Sequence, residues 1–164
     1  MTETESTGRA QPAGGEQHAL AAENDIEVRL GANLTHLPLV RSIAANLAVR
    51  ADFDIDAISD LRLAVDEACS TLITSAESGS AMSCRFTIES DELHFHGTVP
   101  SSDQEPPSTA SFGWKVLTTL ADSATTWLEP AGDFSPDGVV PGGAPDGIHG
   151  RVHVELTKRK PTLT

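Results

Sequence analysis

At 164 residues the chain is long enough for one domain with its own core, and two Cys are too few for a disulfide framework. A formal charge of −13 would repel a phosphate backbone, which argues against direct nucleic-acid binding and for steering towards a basic partner. With no Tyr, five Phe and two Trp, few rings are present on which single-stranded bases could stack. No apolar run approaches the length of a membrane span, and the first residues lack a basic patch followed by an apolar segment. A soluble, cytoplasmic protein with free, reduced cysteines is the expectation.

Residues 1–24 are rich in Glu, Thr, Gly, Ala and Gln without apolar periodicity, so they are expected to form a disordered acidic tail. A folded domain is expected over residues 25–158. Ile26, Val28 and Leu30 alternate with Glu27 and Arg29, as in a half-buried strand. Leu39, Val40, Ile43, Ala44 and Leu47 then recur at helical spacing behind Pro38, whose missing N–H is tolerated in a first turn. Either Asp54 or Asp56 can cap the next helix, which the spacing extends to about Ala76. Its apolar stripe is Ile58, Leu61, Val65, Ala68 and Leu72. Glu67 lies off that stripe and forms an i, i+4 pair with Thr71. Spacing alone makes it a solvated charge, unless a neighbouring loop turns that edge into a cleft.

Ser78-Gly79-Ser80 breaks the helix. Cys84, Phe86 and Ile88, then Leu93, Phe95 and Val99, read as a hairpin turning at Ser90-Asp91. A mobile loop is expected at 100–110, placed as lids commonly are, followed by a helix patterned on Phe112, Val116, Leu117 and Leu120 and ending near Asp122. Thr125 to Glu129 fits a strand, residues 131–147 a flexible Pro- and Gly-rich insertion, and Val152, Val154 and Leu156 a last strand before a basic tail at 159–164. The fold class this order implies is α+β, a two-layer sandwich with helices on one face of a mixed, mainly antiparallel sheet. His94 and His96 on one strand could meet His149 and His153 on another as a metal site. No Cys or carboxylate completes a ligand spacing, so solvated imidazoles are expected instead, with Cys69 and Trp114 in the core.

Leu61-Arg62-Leu63-Ala64-Val65-Asp66-Glu67-Ala68-Cys69, together with Ser111-Phe112-Gly113-Trp114-Lys115-Val116-Leu117-Thr118-Thr119-Leu120-Ala121-Asp122, resembles the anti-sigma factors of the RsbW and SpoIIAB type. The similarity spans roughly Ile26 to Lys158 and is strongest to the actinobacterial UsfX form. The resemblance implies a two-layer Bergerat fold like that of the ATP-binding domains of histidine kinases, gyrase and Hsp90. It also implies a homodimer that restrains a stress-response sigma factor of the sigma F kind, and serine phosphorylation of an anti-anti-sigma partner of STAS type. Glu67 stands where the family has its general base. Thr71 stands where an Asn usually holds Mg²⁺, and Ser111 where a phosphate-loop Gly is usual, while Gly113 is kept. No Asp to accept from the adenine amino group occurs around Gly97-Thr98-Val99-Pro100-Ser101, and Asp103 lies further along. The resulting expectation is a sigma-factor binder whose ATP and Mg²⁺ site, with Thr71, Ser111 and Gly113 as its nucleotide-binding residues, is weak or absent. The alternative is an active serine kinase in which Asp103 or a backbone group substitutes.

Overall fold

Period-two alternation gives each strand one apolar face, and a single sheet buries those faces together against the apolar stripes of the helices. The computed structural model describes residues 24–131 and 150–162, and five strands share one sheet there. They are β1 (Asp25–Gly31), β2 (Ala81–Ile88), β3 (Glu92–Ser101), β4 (Ser123–Pro130) and β5 (Gly150–Arg159). The order is β1-β2-β3-β5-β4, and every hydrogen-bonded pair is antiparallel. Because β5 lies between them, β3 and β4 run parallel to each other. The tail expected before Asn24, the insertion expected beyond Ala131 and His149 fall outside the described residues.

Three helices, α1 (Leu37–Arg50), α2 (Ile55–Ser75) and α3 (Phe112–Leu120), form the second layer. The stripe Leu61, Val65, Ala68 and Leu72 is fully buried, and Ala64 and Cys69 widen it. Opposite it lie Cys84 and Phe86 of β2, Phe95 and Val99 of β3, and Val154 of β5. Cross-strand partners Phe86 and Phe95 bring their ring centroids to 5.2 Å at a tilted angle, a favourable aromatic arrangement. Gly97 has no room for a side chain, since a Cβ there would overlap Leu72 Cδ1. Cys69 and Cys84 are free and buried. The neighbouring Cys84 thiol, with burial, pushes the Cys69 thiol well up, so it stays protonated.

Several patterned positions fall differently. Leu39 and Phe112, placed on apolar stripes by spacing, are 53% and 83% exposed, because each lies in the first turn of its helix where the neighbouring layer has not yet closed. Arg159 belongs to β5 rather than to the basic tail expected at 159–164. Lys158 Nζ donates to Leu120 O at 2.8 Å and approaches Asp60 Oδ2 at 3.3 Å, placing a cation at the negative end of α3 and tying it to α2. No helix among the described residues is long and apolar enough to cross a membrane.

α1 ends in a Schellman turn. Phe53 N–H donates to Ala48 O at 3.0 Å and Asp52 N–H to Val49 O at 3.1 Å, with Asp52 at φ 59°. Phe53 is thereby buried, and Asp54 Oδ1 accepts from Ala57 N–H at 2.8 Å, which makes Asp54 rather than Asp56 the cap of α2. The left-handed backbone at Asp52 strains a side chain and puts a negative charge at a helix C-terminus. Asp52→Gly is expected to stabilise the fold by about 0.5–1 kcal/mol and raise Tm by roughly 2–4 °C in a calorimetric melt.

Candidate functional site

The edge of α2 that the sheet leaves uncovered carries Glu67, Ser70, Thr71 and Thr74, none of them fully buried. Against it folds the segment between β3 and α3. A cleft of about 310 Å³ results, lined by Ser70, Thr71, Thr74 and Ser75 of α2 and by Pro107, Ser108 and Ser111. Thr71 and Ser111 therefore share one cleft although they lie far apart in sequence. Ser111 is also the N-cap of α3, its Oγ accepting from Trp114 N–H at 3.1 Å. Trp114 itself is buried.

Glu67 and Gly113 meet next to this cleft. A Cβ built on Gly113 would lie 2.7 Å from Glu67 Oε2, so the carboxylate rests against the first turn of α3, where the positive end of the helix favours an anion. Glycine at 113 thus makes room for Glu67. Asp103 stays exposed in the loop and does not line the cleft; its backbone N–H is taken by the buried Ser101 hydroxyl at 3.1 Å. Ser101, at the end of β3, went unmarked in the sequence because nothing in its spacing separates a buried Ser from a loop Ser.

Residues 30–131 match the model of the histidine kinase-like ATPase domain family. Anti-sigma-F factor RsbW of Mycobacterium tuberculosis, in strain CDC 1551 / Oshkosh and in strain ATCC 25618 / H37Rv, is 34% identical over 116 residues, covering 71% of this chain and 67% of that protein. The chain belongs to the RsbW-type branch of the histidine kinase-like ATPase family. The crystal structure of the RsbU and RsbW domains of Rv1364c from Mycobacterium tuberculosis shares the fold, with a TM-score of 0.55 at 12% identity over 85% of this chain and 33% of that one.

On the face of the RsbW-type sheet away from the helices, the imidazoles are not simply solvated. His153 is only 8% exposed and stacks on Trp127, with centroids 4.8 Å apart. Its Nε2 lies 2.7 Å from Glu129 Oε2 and its Nδ1 2.9 Å from His96 Nε2. A carboxylate only accepts, so His153 Nε2 donates to Glu129, and a single proton bridges His153 Nδ1 and His96 Nε2. Alternation shows two rings on a polar face; the stack depends on Trp127 pairing with His153, a register that residue types do not reveal. Burial, with lesser opposition from His153 and Arg85, holds His96 below the ordinary imidazole value despite Glu155 and Glu27 nearby. At the sheet edge Arg85 pairs with Asp25, and the hydrogen bond it donates holds that carboxyl below its usual range.

Gly113→Ala is expected to push the flexible Glu67 carboxylate aside without unfolding the chain. In a double-mutant cycle with Glu67→Ala, the two stability changes should depart from additivity by about 0.5 kcal/mol or more. For His96, the unfolded chain takes up a proton below pH 6.5 that the folded one refuses, so stability is full above that value and falls as the pH drops through it. His96→Gln should flatten this acid limb of Tm against pH.

Proposed function

We propose that this chain is a cytoplasmic, homodimeric anti-sigma factor that sequesters an alternative, stress-response sigma factor of the sigma F kind through contacts that need no nucleotide. The observation that carries this reading is its 34% identity to the anti-sigma-F factor RsbW across 71% of the chain. The charge of −13 supports a partner with a basic surface.

The cleft supports weak nucleotide binding. Its lining offers hydroxyl donors to phosphate oxygens, but no carboxylate or side-chain amide to take the adenine amino group. Thr71 lacks the reach of an amide towards Mg²⁺, and the Ser111 hydroxyl is engaged in capping α3. These residues do not fit a tight ATP–Mg²⁺ site, and no phosphoryl-transfer step is assigned to them. Each missing charged hydrogen bond costs about 1.5–3 kcal/mol, roughly one or two decades in affinity. Serine phosphorylation of a STAS-type anti-anti-sigma factor is the second reading, favoured by the Glu67 carboxylate held beside the cleft. A carboxylate so placed could take the acceptor proton if a nucleotide were bound.

Calorimetric titration with a sigma factor of the sigma F kind tests both. Tight binding without nucleotide is expected, changed less than about twofold by Glu67→Ala or by millimolar ATP with Mg²⁺. ATP alone should give no saturable heat below the millimolar range. Sigma binding that requires ATP, or micromolar ATP binding with phosphate transfer lost in Glu67→Ala, would reverse the assignment in favour of the kinase.

A further inference from the structure

The β2–β3 hairpin turns at Glu89-Ser90-Asp91-Glu92, closed by a hydrogen bond from Glu89 N–H to Glu92 O at 2.9 Å. This lies at the opposite end of β3 from the loop that lines the cleft. The turn folds Glu89 back towards Glu92 and His94, and one ligand atom from each of the three lies within 4.8 Å of the others. His94 Nε2 is 3.2 Å from Glu92 Oε2 and 3.7 Å from Glu89 Oε2. It hydrogen-bonds to neither, although solvent does not reach it.

That arrangement is poorly satisfied by protein atoms alone. If Nε2 is unprotonated, three acceptors face one another with no donor among them. If it is protonated, its one N–H could serve a single oxygen, yet it is aligned on neither. We infer that Glu89, Glu92 and His94 form a binding site for a divalent transition metal, with zinc the ion that fits. Zinc at about 2.0–2.2 Å from nitrogen and oxygen ligands sets tetrahedral ligand-to-ligand separations of about 3.3–3.5 Å. The 3.2 and 3.7 Å separations bracket that edge.

The surroundings hold the ligands in place. Thr157 Oγ1 lies 2.9 Å from His94 Nδ1, so an Nδ1–H donating to that hydroxyl leaves the Nε2 lone pair for the metal. Arg159 Nε donates to Glu92 Oε1 at 2.7 Å and turns Oε2 towards His94. Imidazole in the ligand set selects zinc over magnesium or calcium, and water completes the coordination. Glu89, with a 61% exposed side chain, is the ligand that closes over the ion. The site shares no residue with the cleft and does not depend on the anti-sigma reading.

Titration of the full-length, tag-free protein with Zn²⁺ against a chromogenic chelator tests it. One equivalent is expected to bind in the micromolar range, unaffected by excess Mg²⁺ and weakened by at least about tenfold in Glu89→Gln and in His94→Gln. Glu89 is exposed, so Glu89→Gln separates loss of a ligand from loss of the fold. Imidazole nitrogen NMR should show Zn²⁺ shifting Nε2 of His94 and leaving His96 unmoved, with His96→Gln binding normally. No saturable binding below millimolar Zn²⁺ would overturn the site. So would binding that survives both Glu89→Gln and His94→Gln, or that only His96→Gln abolishes.

Discussion

Burial of one side of α2 against the sheet is the constraint on which the rest of the structure depends. Leu61, Val65, Ala68 and Leu72 have no solvent exposure, and the sheet strands they cover contribute side chains as fully enclosed. Gly97 allows β3 to pass under Leu72, which fixes how close helix and strand come. A core packed this closely does not slide, because moving α2 by one residue would bring polar side chains onto the sheet. The orientation of α2 therefore decides which side chains are left on its free edge. Glu67 and Thr71 are there because Val65, Ala68 and Leu72 are not.

What that edge becomes is decided by α3. At nine residues it is too short to be stable alone, and it is held at both ends. Ser111 caps its first turn, and Lys158 from β5 reaches its last carbonyl while approaching Asp60 of α2. Trp114 and Leu117 bury its inner face. With α3 so fixed, its first turn meets Glu67, and the segment leading into it covers the Thr71 side of α2. Geometry at the candidate site is thus a consequence of two caps and a short apolar face.

Periodicity made the layers legible: all five strands and three helices follow from alternation or a three-four stripe, since each pattern reflects burial directly. Helix ends were less legible, because Asp54 and Asp56 are chemically equal candidates until backbone angles choose between them. Phe112 shows the limit of a stripe in the first turn of a short helix. For the site, resemblance named Glu67 and Gly113 separately, and their contact could not be read from spacing, as it spans two elements. The buried His153 was hidden for the same reason. So was the meeting of Glu89 and Glu92 with His94: a hairpin turn brings together residues whose spacing matches no ligand motif.

On the proposed reading, Ser111 illustrates how a cleft of this kind would lose nucleotide affinity while the fold persists. The cleft lining is drawn from a half-exposed helix edge and a loop, so its side chains contribute little to the core. A serine at an N-cap stabilises a helix a few tenths of a kcal/mol more than glycine does. The same change removes the conformational freedom and close backbone approach that a glycine gives a phosphate. Substitution at this position thus moves free energy from ligand binding into the helix cap. On the proposed reading, a chain that must present a rigid partner surface without nucleotide gains from that exchange, since an ordered α3 no longer has to await a ligand at its N-terminus.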